Sequence, residues 1–304
     1  MSKFEGSIVA LVTPFTKSGR VDVRKIHELV RWHLQEGSQG IVCAGSTGES
    51  TALNEKERAI IIRACVEAAE RKILILAGTG VSDTRQSVRL TEAAQRLGAE
   101  GAMIIAPYFN KASQRGCILH FKELSRIGLP LIVYNNPARC VINLQPETLA
   151  EIVALPNIAA LKEANGDPNH FAKVRFLTNL PILAGEDCLT YDMLSAGAVG
   201  AVSVVGNLLP KLWSDMIFLF REGKKEKAKE LFVRVKPLLG ALALEANPQC
   251  VKKALALMGL CSSALRLPLL EPTEENSKKI RNALAELCLP FGRVKSLKTG
   301  SQQL

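Results

Sequence analysis

The stretch Ile158-Ala159-Ala160-Leu161-Lys162-Glu163-Ala164 is a run of four apolar residues that ends in a lysine. Apolar residues at consecutive rather than alternating positions mark a strand covered on both faces, as in a parallel sheet with helices packed on it. Seven further runs of this kind occur, at 7–12, 40–44, 73–77, 101–105, 129–134, 182–184 and 200–204. Successive starts lie roughly 18 to 33 residues apart, about the length of one strand–helix unit. The segments between them carry helix punctuation. Asp22 is placed as an N-cap, Ile26, Val30 and Leu34 share one face, and Gly37 is the stop. Asn54 and Glu57 form a capping box. A third helix is predicted over 84–97, ending at Gly98.

Eight parallel strands with helical crossovers either close into a barrel or spread as an open doubly wound sheet. The count of eight favours closure, and no G-x-G-x-x-G opens the first helix. Past Val205 only helical patterns remain, at 210–221, 224–245, 251–258 and 274–287. The expected fold is therefore an α/β (β/α)8 TIM barrel over residues 1–222. A C-terminal helical extension follows over 223–291, and a polar, basic tail, whose order the sequence leaves open, over 292–304.

The 304 residues include 39 Lys and Arg against 29 Asp and Glu, a net charge of +10. A basic balance suits nucleic acid, a membrane surface or anionic small molecules. Lys224, Lys225, Lys227 and Lys229 alternate with Glu222, Glu226 and Glu230, the mark of a solvated helix face. Arg293, Lys295 and Lys298 fall in the tail. With aromatics at 5%, stacking platforms for single strands are missing. No nucleic-acid partner is expected. No apolar stretch is long and clean enough to span a bilayer, and no signal peptide is recognised at the start. The eight cysteines (Cys43, Cys65, Cys117, Cys140, Cys188, Cys250, Cys261 and Cys288) form no C-x-x-C pair. The four histidines His27, His33, His120 and His170 lie near no such pair, so no metal site is expected. Reduced thiols in a cytoplasmic protein are the expectation.

In a barrel, chemistry belongs to the residues just beyond the strand ends. After the second strand comes Gly45-Ser46-Thr47-Gly48-Glu49-Ser50, a tight turn with two adjacent hydroxyls and backbone N–H groups suited to a carboxylate. After the fourth comes Ala106-Pro107-Tyr108-Phe109-Asn110, and after the fifth Tyr134-Asn135-Asn136-Pro137-Ala138-Arg139. An arginine fork is the natural partner of a substrate carboxylate. Lysine is almost never buried without a partner or a task. Burial disfavours the charged form of an amine, and a neutral amine attacks a ketone. A lysine snorkelling at the barrel rim is the plainer alternative. Tyr134 at the end of the neighbouring strand tips the balance toward catalysis.

At these residues the chain resembles the pyruvate-dependent class I aldolases related to N-acetylneuraminate lyase, and within them the dihydrodipicolinate synthase branch. The likeness rests on Gly45–Ser50, Tyr134–Arg139 and Leu161–Ala164. Supporting stretches are Gly6–Ala10, Thr13-Pro14, Ala77–Gly80, Glu245–Pro248 and Leu265–Pro268, in order over residues 4–290. The resemblance implies an imine between Lys162 and pyruvate, with Tyr134 and Ser46 relaying protons and no cofactor. It implies that Thr47, with the backbone at Gly185 and near Val202, binds the pyruvate carboxylate. Arg139 would hold the carboxylate of aspartate semialdehyde. It further implies a homotetramer or homodimer of lysine and diaminopimelate biosynthesis.

Two departures stand out. The branch's second relay tyrosine is matched by Phe109, which has no hydroxyl. The positions of the lysine-feedback site are matched by Glu55, Arg58, Ser82 and Gln86, with neutral Gln86 in place of an acid. Weak or no lysine inhibition follows. A sister aldolase acting on a sugar-derived 2-keto acid and a catalytically impaired paralogue remain as alternatives.

Overall fold

The computed structural model describes residues 3–287. Cys288, the basic residues Arg293, Lys295 and Lys298, and the tail expected at 292–304 lie outside the described residues. The strands are β1 (Gly6–Ala10), β2 (Gly40–Cys43), β3 (Leu74–Gly78), β4 (Gly101–Ile105), β5 (Leu131–Asn135), β6 (Ile158–Glu163), β7 (Ile182–Ala184) and β8 (Gly200–Ser203). Each pairs in parallel with the next, and β8 pairs with β1, closing the barrel in chain order. All eight predicted strands are present. Their ends move by up to two residues because the ladder between neighbours, not the apolar run alone, decides where a strand stops. Thus Asn135 and Glu163 stay within β5 and β6, where they pair with one another.

Around the ring run α1 (Val23–Gln35), α2 (Glu55–Ala69), α3 (Thr84–Arg96), α4 (Gln114–Ser125), the one-turn α5 (Pro137–Cys140), α6 (Pro146–Val153), α7 (Pro168–Leu177), α8 (Thr190–Ser195) and α9 (Pro210–Arg221). The caps expected from sequence form. The Asp22 carboxylate accepts from the Lys25 N–H at 3.1 Å. Asn54 and Glu57 exchange both capping-box bonds, at 2.9 and 3.1 Å.

Strand side chains alternate between two cores. Ile8, Val42, Leu76, Ile132, Leu183 and Val202 fill the barrel interior, while a larger cluster including Val133 and Leu161 lies between barrel and helices. On β5 the alternation sends Ile132 and Tyr134 inward, with Val133 outward. On β6 it sends Ala160 inward and Leu161 outward, and Lys162 therefore shares the inner face.

Past the barrel, α10 (Lys225–Leu242), α11 (Gln249–Leu257) and α12 (Glu274–Glu286) form the expected helical extension. It is bonded to the loop after β2. Lys252 on α11 donates to the Glu49 carboxylate at 2.7 Å and to the Thr13 carbonyl at 2.9 Å. Both charged side chains are fully buried, at 0% and 1% exposure. The Arg266 N–H takes the other Glu49 oxygen at 3.0 Å, and its guanidinium forks onto Glu57 and the Ala52 carbonyl. Burial pushes the Lys252 ammonium below its ordinary range, and Glu49 opposes that shift. A buried pair of this kind adds little against an apolar alternative, but removing one partner strands the other charge. Lys252→Met is therefore expected to cost about 3–5 kcal/mol of stability, measured as a fall in the unfolding midpoint in guanidinium chloride.

Candidate active site

A cavity of about 260 Å³ opens at the C-terminal end of the barrel strands. Ser46 and Thr47 line it from the loop after β2, Tyr134 from β5, Arg139 from α5, Lys162 from β6 and Gly185 from beyond β7. Six of the residues singled out in the sequence therefore meet at one place. Val202 is buried inside the barrel, and Val204 forms the wall on that side.

Tyr134 and Lys162 are register partners on adjacent strands. Both point inward, and the Lys162 Nζ lies 4.0 Å from the centre of the Tyr134 ring. Lys162 is 5% exposed. It makes no ion pair among the described residues, in contrast to Lys252. The Tyr134 hydroxyl accepts from the Asn136 amide at 2.8 Å. With that lone pair engaged, its own proton is free to face the pocket.

The loop Gly45–Ser50 turns tightly enough that Glu49 adopts a left-handed conformation, φ 56°. A side chain at Gly78 would strike the Ala44 carbonyl at 2.6 Å, so the loop sits directly on β3. Ser46 faces the cavity. The Thr47 hydroxyl oxygen accepts from the Asn247 amide at 2.9 Å, a bond that reaches in from the C-terminal extension. Gly185 is held by its N–H to the Glu163 carbonyl at 2.7 Å. A Cβ there would meet that carbonyl at 2.8 Å and the Ala164 methyl carbon at 2.7 Å.

Two acidic residues that the sequence reading did not single out follow Gly185. Glu186 lines the cavity, its carboxyl pushed up by burial and held down in part by Lys162 and Arg139. Asp187 accepts from the Val204 and Val205 N–H groups at 2.9 and 2.7 Å, and burial raises its carboxyl too. They obey the same strand-end rule that located Lys162. Asn247 and Lys252 carried no such signal, since Lys252 lies on α11 and Asn247 in the turn before it, both beyond the barrel strands.

Phe109 does not reach this cavity. Its ring is 87% exposed and its φ is +71°. Tyr108 packs against the outer core, with its phenol pushed up by burial and opposed by Arg58. Arg58 is buried and donates to the Gly78 carbonyl at 3.1 Å and the Ser50 carbonyl at 2.5 Å. Glu55 faces Arg89 at 3.6 Å, the Ser82 carbonyl accepts from Asn110, and the Gln86 N–H caps α3 onto Asp83.

Residues 3–287 match the model of the dihydrodipicolinate synthetase family. The chain belongs to that family. A relative named 4-hydroxy-tetrahydrodipicolinate synthase, from Geotalea uraniireducens, is 39% identical over 280 residues, covering 91% of this chain and 96% of its own. A dihydrodipicolinate synthase of Acinetobacter baumannii, crystallised with pyruvate, superposes with TM-score 0.92 at 36% identity, covering 94% of this chain and 99% of its own. A variant described as the first monomeric dihydrodipicolinate synthase superposes with TM-score 0.93 at 37% identity, covering 95% and 98%. The family and the (β/α)8 barrel expected from sequence are both borne out.

Gly185→Ala is expected to displace the cavity wall, because the obstructing atoms include backbone. A misplacement near 1 Å costs about a hundredfold in rate. Steady-state activity should fall to that extent while the far-ultraviolet circular dichroism of the barrel persists.

Proposed function

We propose that this chain condenses pyruvate with L-aspartate 4-semialdehyde to give 4-hydroxy-tetrahydrodipicolinate, as a lyase of lysine and diaminopimelate biosynthesis. The observation that carries this reading is the buried Lys162 amine beside the Tyr134 ring, in a cavity shared with Ser46, Thr47 and Arg139. Family membership and relatives of that name support it.

The amine attacks the ketone carbon of pyruvate, and loss of water leaves the imine. A proton leaves the methyl carbon to give the enamine, which attacks the aldehyde carbon of the second substrate. That substrate's amino group then attacks the imine carbon, closes the ring and releases Lys162. Tyr134, held by Asn136, and Ser46 move the protons in these steps. The Thr47 hydroxyl, with the backbone at Gly185 and near Val202, receives the pyruvate carboxylate. Arg139 at the cavity mouth receives the carboxylate of the semialdehyde, which argues against a sugar-derived 2-keto acid.

A homodimer or homotetramer is part of the same reading. The exposed Phe109 ring is held in a backbone conformation that costs an L-residue of order 1–3 kcal/mol unless its surroundings enforce it, and a partner surface would supply that enforcement. A division of labour between a barrel to about residue 222 and the extension after it also belongs here. So does residence in the cytoplasm, which the seven free described cysteines favour. No described helix is long and apolar enough to cross a membrane.

Reduction with borohydride in the presence of pyruvate is expected to leave a reduced pyruvoyl adduct on Lys162, read by peptide mass spectrometry. Lys162→Ala should lose both adduct and turnover, and an unmodified Lys162 in the wild-type chain would sink the mechanism. In the proposed dimer the Phe109 ring points away from its own cavity toward a neighbouring protomer, so Phe109→Tyr, which restores the relay hydroxyl there, should raise kcat, within the roughly 10²–10⁴-fold range of one general acid–base group. Lysine is expected to inhibit weakly or not at all. Arg58 holds a buried positive charge between two carbonyls, and neutral Gln86 supplies no anion for an incoming ammonium. Turnover measured against a lysine titration checks this, and strong inhibition below millimolar lysine would contradict it.

A further inference from the structure

Directly behind Lys162, on the outer face of β6, the Glu163 carboxylate is 1% exposed. It touches neither the cavity nor solvent. A buried carboxylate is tolerated only when hydrogen bonds replace its water, and here they do. The Asn135 amide donates to both oxygens at 3.0 and 3.1 Å, the Asn165 N–H to one at 2.7 Å, and His170 Nε2 lies 3.3 Å from the other. The Asn135 orientation is fixed independently, since its Oδ1 accepts from the Leu144 N–H at 3.0 Å. Its amide also donates to Asn143 Oδ1 at 3.0 Å, and that oxygen takes the Asn165 amide at 2.9 Å.

These bonds have a common geometry. Residues 136–142 carry Arg139 to the mouth of the cavity. That segment leaves β5 at Asn135 and ends at Asn143 and Leu144, and both ends are bonded into the Glu163 cluster. Its first residue, Asn136, holds the Tyr134 hydroxyl. The Arg139 side chain is exposed, so its placement depends on the segment beneath it.

We propose that Glu163 is a positioning residue: through Asn135 and Asn143 it holds the segment that presents Arg139 to the carboxylate of the second substrate. The inference rests on the role given to Arg139 above. Its signature is a split between substrates. Loosening the segment weakens capture of the semialdehyde while leaving imine formation with pyruvate in place.

The test is steady-state kinetics on the full chain, varying each substrate in turn, with borohydride trapping of pyruvate alongside. Glu163→Ala and Asn143→Ala are expected to raise KM for L-aspartate 4-semialdehyde about tenfold or more, with KM for pyruvate and the trapped adduct unchanged. Glu163→Gln should stay near wild type. Its amide oxygen still accepts from Asn135 and Asn165, and its NH₂ can donate to the His170 nitrogen. If Glu163→Ala does not fold, Asn143→Ala, on the half-buried end of the segment, delivers the same comparison. A parallel rise in both KM values, a fall in kcat alone, an unchanged semialdehyde KM, or a Glu163→Gln variant as impaired as Glu163→Ala would each overturn the proposal. Absence of an adduct in the wild-type chain would instead overturn the mechanism itself, so the two failures are told apart.

Discussion

A lysine and a glutamate that are 203 residues apart in the chain meet where water does not reach. The Lys252 ammonium and the Glu49 carboxylate are each tolerable in the interior only because the other is present, together with the Thr13 carbonyl and the Arg266 N–H. The consequence is geometric more than energetic. Glu49 closes the loop that carries Ser46 and Thr47, and Lys252 belongs to the helical extension. The pair therefore ties the extension to the loop that lines the cavity. Asn247, two residues before α11 begins, places its amide on the Thr47 hydroxyl from the same side. Helices outside the barrel thus shape a site inside it.

The second organising constraint is alternation. In a closed parallel barrel, neighbouring residues on one strand belong to different compartments. Tyr134 and Lys162 face the interior and line the cavity. Asn135 and Glu163, one residue further, face the helices and form a hydrogen-bonded cluster that does not line the cavity. Reaction and support are encoded in adjacent letters. A polar residue beside a catalytic one is easily taken for part of the site, whereas here it is the back of the wall.

Electrostatics follow from the same packing. Lys162 is buried without an ion-pair partner, and Lys252 is buried with one. The second is held as a structural cation by Glu49. Glu186 and Asp187 follow β7 on the wall of the cavity, and the Asn136 amide that holds the Tyr134 hydroxyl also reaches Glu186 at 3.5 Å. Burial pushes both carboxyls up, while Lys162 pulls them partly back.

The eight strands, the capped helices between them and the lysine at a strand end were legible from residue order alone. Each is governed by local rules: apolar runs, side-chain capping, and the placement of polar groups after strands. Thr47 and Arg139 were legible as polar groups beyond strand ends, Gly185 only through resemblance, and Glu186 and Asp187 lay within reach of the strand-end rule that found Lys162. The Phe109 substitution is plain in the sequence, yet its direction is not, because a ring that leaves its own barrel is placed by backbone conformation at φ +71°. Glu49 in the tight turn suggested a substrate loop, and only the fold revealed it as the anchor for Lys252. Asn247, Lys252 and the Glu163 cluster depend on contacts between segments far apart in the chain or on opposite faces of one strand. Local sequence determined the elements and the lysine at the end of β6. Barrel closure and the docking of the extension decided which buried charges pair and which amine remains free, because charge compensation in the interior is a property of neighbours in space.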